Sequence, residues 1–399
     1  MSDAWTWRPL GQLFEIGAGK TMSAAARAGA DKVPFLRTSN VFWDRLDLSA
    51  VDEMSIPAHE LPYKLVEPGD LLVCEGGEIG RAAIWDGSVS PMAFQNHLHR
   101  LRPRTDDVEP RFYVFFLQAA FTQLGIFEGA GNKTTIPNLS SGRLAALEVP
   151  HPPLAEQQAI AATLGLIRRA SVTQDAQVGL ARELRAAAMA RLLTKGLRDA
   201  EKRDSDIGPV PEHWTVGPVG DFAEFQRGFD ITKKMQVAAG DIPVVSSGGI
   251  RSYHDVAAAE GPGVVIGRKG SIGSLHYVAT DYWPHDTTLW CRDFKGNLPK
   301  FVYYRLHLVD MKRLDSGATN PALNRNFLHD ELISWPPVDE QKEIVAVVES
   351  IERKIGLHET KLGLLSDLFG RMLHDLMTGS ISIDDLVVPA SATSEGSAA

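Results

Sequence analysis

Cysteine is nearly absent from this chain. Of 399 residues only Cys74 and Cys291 are cysteines. Neither has a second cysteine or a histidine pair at ligand spacing, which excludes a disulfide framework and a structural zinc site. Two buried free thiols in a reducing cytoplasm are expected instead. Long apolar runs are missing as well. No stretch of about 18 apolar residues occurs, and the start, Met1-Ser-Asp-Ala-Trp-Thr-Trp, has no basic region leading into an apolar one, so the chain reads as neither secreted nor membrane-spanning. Catalytic signatures are lacking too. There is no His-Glu-x-x-His, and Gly76, Gly77 and Gly80 are not followed by Lys-Ser or Lys-Thr, so they read as hairpin glycines rather than a phosphate loop. An adenine methyltransferase would carry an Asn-Pro-Pro-Tyr-like motif, and a metal nuclease would carry clustered acids with a lysine. Neither is found, so no catalytic or metal-ligating residue is assigned. Positive charge is in the minority: 41 Lys and Arg stand against 50 Asp and Glu, for a net charge of −9. That argues against indiscriminate coating of nucleic acid. It leaves room for local basic clusters: Arg100, Arg102, Arg104 and Arg111; Lys233 and Lys234; Arg268 and Lys269; and Lys300, Arg305, Lys312 and Arg313. Taken singly, each reads as a solvated face.

What is present is a duplication. Residues 152–160 read Pro-Pro-Leu-Ala-Glu-Gln-Gln-Ala-Ile, and residues 336–344 read Pro-Pro-Val-Asp-Glu-Gln-Lys-Glu-Ile. After each Pro-Pro, apolar residues recur in alternating steps of four and three, the pattern of a coiled-coil seam. In the second copy the seam is Ile344, Val348, Ile351, Ile355, His358, Leu362, Leu365, Phe369, Met372 and Leu376. In the first it is Ile160, Leu164, Ile167, Val178 and Leu192, with the weaker members Ser171, Gln174, Ala181, Arg185 and Ala188 between them. Glycine closes each stretch, at Leu-Thr-Lys-Gly (193–196) and Met-Thr-Gly (377–379), where it suits the left-handed end of a helix. Glu156, Asp339 and Glu340 suit the positive end of the helix dipole. Each helix is expected to run about 33 residues, roughly 50 Å. Seams of that length do not fit inside a small domain, so the two helices should pack on each other.

The segments before the helices also repeat. Trp214-Thr-Val-Gly-Pro-Val-Gly echoes Trp5-Thr-Trp-Arg-Pro-Leu-Gly, and Ile242-Pro-Val-Val-Ser-Ser-Gly echoes Val33-Pro-Phe-Leu-Arg-Thr-Ser. Gly263-Val-Val-Ile-Gly-Arg-Lys-Gly echoes the segment from Gly69, and Thr319-Asn-Pro-Ala-Leu-Asn echoes Ile136-Pro-Asn-Leu-Ser. These read as short strands between glycine and proline turns, with one clear helix over Glu109–Leu124. Residues 197–213, charged and then proline-rich, read as a linker, and the small polar residues 389–399 as a disordered end. The frame recurs while loop residues differ: Glu75-Gly-Gly-Glu in one unit faces Arg268-Lys-Gly-Ser in the other.

With both repeats, the Gly-Asp-Leu-Leu segment and the Ile-Gly-Pro-Val-Pro-Glu-His-Trp junction at 207–214 on the page, the chain resembles the specificity subunit of type I restriction-modification enzymes over nearly its whole length. The resemblance implies an α+β protein with two homologous target recognition domains, 1–151 and 214–335. It places two conserved antiparallel helices at 152–196 and 336–380, the linker at 197–213 and a tail at 381–399. It further implies that each domain reads half of an interrupted DNA site while the helices set the spacing. Expected partners are double-stranded DNA, modification subunits (two of them) and translocating restriction subunits. S-adenosylmethionine, ATP and magnesium would belong to those partners, and no cofactor to this chain.

Loop residues able to pair with bases or hold phosphates are then the candidate contacts. In the first unit they are Arg37, Ser39, Asn40, Arg81, Gln95, Asn96, His97, Lys133 and Thr134. In the second they are Ser246, Ser247, Arg251, Arg268, Lys269, His285, Thr287, Asn320 and Asn324. The competing reading is a two-module protein-binding scaffold with no role on DNA.

Overall fold

A computed structural model describes residues 5–125, 139–198, 200–232, 240–314 and 321–383. By its contacts the chain divides into two units, Met1–Gln174 with Lys361–Ala399, and Asp175–Thr360. Each unit therefore takes one half of each long helix.

The first unit is built on a four-stranded antiparallel sheet in the order Phe14–Ala18, Leu98–Pro103, Leu71–Cys74, Ala82–Ile84. Its second sheet places Lys32–Leu36 between the antiparallel Asp52–Ser55 and the parallel Ala93–Phe94. A strand pair, Thr6–Pro9 with Glu148–His151, joins the two ends of the domain. The run Leu71-Leu-Val-Cys does not alternate with polar residues because both of its faces are covered. Leu71 and Val73 enter one core with Phe112, Phe115 and Phe116 of the helix Pro110–Thr122. Leu72 and Cys74 enter another with Trp85 and Phe94.

The second unit repeats this plan strand for strand. Its sheets run Glu224–Arg227, Thr288–Asp293, Gly263–Gly267, Leu275–Val278, and Gly249–His254, Ile242–Ser246, Trp283–Pro284, with the pair Thr215–Pro218 and Leu332–Trp335. The Gly-Pro-Gly-Val-Val-Ile segment thus occupies the same central strand as Gly-Asp-Leu-Leu. In both units the turn after that strand needs glycine: Gly80 (φ 82°) and Gly273 (φ 79°) lie in the left-handed region, and a Cβ at either would press on Phe121 or Met311.

The paired Glu-Gln motif has a physical reason. Gln157 is fully buried; its amide donates to Pro152 O (2.8 Å) and Asp107 O (3.0 Å), and its Oε1 accepts from Glu109 N (2.9 Å). Gln341 does the same work, donating to Pro336 O (3.0 Å) and Asn297 Oδ1 (2.7 Å) and accepting from Leu298 N (3.1 Å). Each glutamine thus ties the start of a long helix to the start of its domain's own helix, satisfying groups that would be costly to bury alone. The neighbouring glutamates accept indole N–H groups, Glu156 from Trp5 (3.2 Å) and Glu340 from Trp214 (2.9 Å).

The long helices span Leu154–Lys195 (42 residues) and Val338–Thr378 (41 residues). They exceed the expected length because helix begins at once after Pro-Pro rather than at the first seam residue. Both end at the anticipated glycines, Gly196 (φ 74°) and Gly379 (φ 70°). Packing within each unit is antiparallel. In the first, Ile160, Leu164 and Ile167 share a core with Phe369, Met372 and Leu376, together with Leu373 and Met377. In the second, Leu192 packs with Ile344 and Val348, joined by Met189, Leu193 and Val345. Val178 and Ile355 are buried, whereas Ile351, Leu362 and Leu365 are only half-buried. Each fully buried aliphatic side chain contributes about 1.5–3 kcal/mol. Among the polar seam members, Gln174 is buried and Arg185 pairs with Glu352 (2.7 Å).

Residues 197–213 are not a bare linker. Lys202–Arg203 pairs antiparallel with Val210–Pro211, Val210 is buried, and the Arg203 guanidinium donates to Trp214 O (2.9 Å). The proline-rich half supplies the turn and returning strand of a small hairpin. The tail 389–399 lies outside the described residues.

Candidate nucleic-acid interface

In the second unit four chain segments meet around a cleft of about 470 Å³: the end of strand Ile242–Ser246, the strand Gly249–His254, the turn after Gly267 and the turn before Thr288. Six of the candidate residues line it: Ser246, Ser247, Arg251, Lys269, His285 and Thr287, alongside Gly270 and Ser271. The backbone is held by hydrogen bonds from within the unit. Arg268 N and Lys269 N both donate to Thr287 O (2.8 and 3.1 Å), His285 N donates to Val245 O (2.9 Å), and Leu323 N donates to Arg268 O (2.9 Å). Ser246 Oγ donates to Gly249 O (2.9 Å), and His285 Nδ1 lies 2.9 Å from Thr287 Oγ1. Arg251, Arg268 and Lys269 have no carboxylate partner among the described residues, and Arg268 Nη1 is enclosed without a hydrogen-bond partner among them. A concave, hydroxyl-lined and cationic surface on a rigid frame suits phosphate oxygens and guanine edges.

The first unit carries the same frame with different chemistry. Gln95 N donates to Leu36 O (2.9 Å), Glu75 N to His97 O (2.9 Å) and Leu139 N to Glu75 O (2.8 Å). These bonds match Gln95 to His285, His97 to Thr287 and Glu75 to Arg268. One backbone position therefore presents a carboxylate in one unit and a guanidinium in the other. Gln95 and Asn96 are half-buried, while Ser39 and His97 are exposed. Arg37 pairs with Asp52 (2.8 Å), and Arg81 pairs with Glu78 (3.3 Å) and lies over the Phe42 ring at 5.2 Å.

Two candidates are turned to structural work. Asn40 is buried; its Oδ1 accepts from Arg37 N (2.9 Å) and its amide donates to Asp47 O and Ala50 O (both 2.9 Å), leaving no polar atom for a base. Asn324 caps the helix Arg325–Asp330, its Oδ1 accepting from Asn326 N (2.9 Å). Lys133, Thr134 and Asn320 lie outside the described residues, as do Lys233 and Lys234. The run Arg100, Arg102, Arg104 is not a solvated face. Arg100 is buried and donates to Leu65 O (2.8 Å), Arg102 grips Asp70 through two 2.8 Å bonds, and Arg104 donates to Gly11 O and Phe14 O (3.1 Å each). Arg305 is likewise buried against Ser334 O (3.1 Å), and burial pulls its pKa down to about 10. Burial pushes the Cys74 thiol up to about 12 and raises that of Cys291 as well. No group of three or more His, Cys, Asp or Glu able to hold a metal ion occurs among the described residues, and no helix among them is long and apolar enough to cross a membrane.

The model of the type I restriction modification DNA specificity domain matches residues 2–173 and, a second time, 211–365. The type I restriction enzyme MjaX specificity subunit of Methanocaldococcus jannaschii is 24% identical over 423 residues, covering 95% of this chain and 94% of the relative. The MjaVIII specificity subunit of the same organism is 23% identical over 346 residues, covering 76% and 79%. Among solved structures, the S subunit of a type I restriction-modification system from M. genitalium aligns with a TM-score of 0.60 at 16% identity, over 94% of this chain and 97% of that one. A chain from a structure concerned with complex assembly and conformational transition of the type I R-M system gives 0.59 at 15% identity, over 96% and 99%. Nothing in these likenesses favours a scaffold without a role on DNA.

Proposed function

The chain belongs to the family of type I restriction-modification DNA specificity domains, and from that premise we propose how its two units divide the task of recognition. It is a non-catalytic specificity subunit with two target recognition domains. Each unit reads one half of a bipartite DNA site through the surface described above. The observation that carries this reading is the repeated frame with exchanged side chains: Glu75 and Arg268 hang from matching backbone hydrogen bonds yet present opposite charge. A carboxylate accepts from cytosine N4 and a guanidinium donates to guanine O6 and N7, so one fold reads two different half-sites.

The long helices set the distance between half-sites and dock the modification subunits, two per chain, with restriction subunits joining for cleavage. Exposed leucines on the helices, away from their seam, support docking: Leu166 and Leu364 in the first unit, Leu180, Leu184 and Leu357 in the second. S-adenosylmethionine, ATP and magnesium act on those partners, and the assembly works in the cytoplasm. The test is sequencing-based detection of methylated adenine in cells expressing this chain with its modification subunit. A two-part motif with a fixed gap, present only with this chain, is expected. An assembled complex that leaves methylation unchanged would overturn the reading. Replacing residues 1–151 with the same domain of a relative should change one half of the motif only, and a change in both halves would refute the division of labour.

A further inference from the structure

The first unit holds a second cationic site that shares only Arg81 with the recognition surface. A cleft of about 550 Å³ is lined by Arg45, Arg81, Arg111, Arg168 and Arg169, with Phe42 and Asp44. Four chain segments far apart in sequence deliver these guanidiniums. Those of Arg45 and Arg81 lie over the Phe42 ring, at 4.7 and 5.2 Å from its centroid. Arg111 takes the one lining carboxylate, Asp44, through bonds of 2.9 and 2.7 Å. Arg168 has only neutral neighbours at bonding distance: it donates to Gln118 Oε1 (2.8 Å) and lies 4.0 Å from the centroid of the Phe369 ring. Its Nε is buried without a hydrogen-bond partner among the described residues.

The convergence is built in. Gly165 sits inside the first long helix, where glycine costs about 1 kcal/mol relative to alanine. A Cβ there would stand 3.2 Å from Arg111 Cζ and 3.3 Å from Arg169 Nη1, so the glycine makes room for two guanidiniums over the helix. The second unit is different at the same place. Counted from the paired glutamines, Gly165 corresponds to Glu349 and Arg168 to Glu352. There Glu352 is satisfied locally by Arg185 (2.7 Å) and Tyr304 (2.6 Å). At this place the second unit neutralises its charge, while the first leaves Arg45, Arg168 and Arg169 without a carboxylate partner among the described residues and pairs Arg81 only with the exposed Glu78 (3.3 Å), in a chain of net charge −9.

We propose that this arginine cleft holds backbone phosphates of the DNA, as a sequence-independent grip belonging to the first unit alone. Guanidinium forks match phosphate oxygens, and crowded cations that repel one another in the free protein gain most when an anion enters. DNA is favoured over an acidic protein segment because Arg81, which lines the cleft, ends the same turn that begins with Glu75 of the reading surface. The inference rests on the recognition reading above.

The test uses the complex assembled with modification subunits and carrying Arg45→Ala with Arg169→Ala, two exposed members of the cleft. The control carries Arg198→Ala with Arg292→Ala, an equal charge change elsewhere. Anisotropy titrations of a duplex bearing the methylated motif, and of a scrambled duplex, are run from about 50 to about 300 mM KCl. Loss of two phosphate contacts should lower the slope of log K against log salt by about 1.8 and weaken both duplexes by the same factor. A slope equal to that of the control would overturn the proposal. So would failed assembly of the cleft variant in which the assembled fraction still binds DNA with the unchanged slope, because that outcome assigns the cleft to an acidic partner segment. If the unaltered complex does not distinguish the two duplexes, it is the recognition reading that fails.

Discussion

Replacing Gln341 with leucine tests the joint between domain and helix most directly. The side chain is fully buried and makes three hydrogen bonds: to Pro336 O, to Asn297 Oδ1 and from Leu298 N. Leucine has a similar volume and no polar atom, so one buried group and two partly buried ones lose their partner, at about 1–3 kcal/mol each. Burying the leucine returns about 1.5–3 kcal/mol. A net loss of about 3 kcal/mol in a unit of this size corresponds to a fall in melting temperature of about 6–12 °C. The matched control is Asp339→Ala in the same helical turn, where the carboxylate is exposed and pairs only with Lys342 (2.8 Å); it should move the midpoint by no more than about 2 °C. Circular dichroism melts of the two variants and the parent decide the matter. If Gln341→Leu melts within error of Asp339→Ala, the glutamine is not the tie described here. Gln157→Leu should repeat the effect in the first unit.

Other outcomes follow from individual side chains. His329 accepts from Phe225 N (2.8 Å), and burial, followed by the nearby charge of Arg325, holds its pKa below the ordinary 6.5. Its contribution is therefore complete above pH 6.5 and lost as pH falls toward the folded value. Urea midpoints should drop on acidification, and His329→Gln should flatten that dependence; an equal slope in the variant would remove His329 as the cause. Cys74 and Cys291, both buried with raised thiol pKa values, should resist iodoacetamide at about pH 8 until the protein unfolds. Mass spectrometric detection of adducts on the folded protein would contradict this. Asn40→Ala should cost about 2 kcal/mol in stability without changing the methylated motif. Arg251→Ala with Lys269→Ala should do the opposite, keeping the melting temperature and weakening DNA binding; unchanged affinity would move the reading surface elsewhere.

Much of the fold was legible because it is written twice. The four-three spacing from Ile160 and Ile344, the glycine ends at Gly196 and Gly379, and the turn glycines are local features, and local geometry follows from neighbouring residues. The Glu-Gln pair could be found by repetition, although its meaning, an amide joining two helix starts, required the distant partners Glu109 and Leu298. The candidate site was legible in outline only. Loop position and residue type brought Ser246, Ser247, Arg251, Lys269, His285 and Thr287 into consideration, and the structure gathers them on one cleft.

The same criteria also selected Asn40 and Asn324, and the basic run from Arg100 looked solvated, because sequence does not tell whether a polar side chain turns out to a ligand or in to satisfy its own backbone. By itself the sequence determined the duplication, the helix pair and the lack of catalytic groups, all properties of composition and short-range order. Only the tertiary structure decided which charges are spent. Arg102 and Arg185 meet carboxylates, while Arg45, Arg168 and Arg169 gather without one among the described residues, since the partners that neutralise a charge are chosen by contacts between segments distant in sequence.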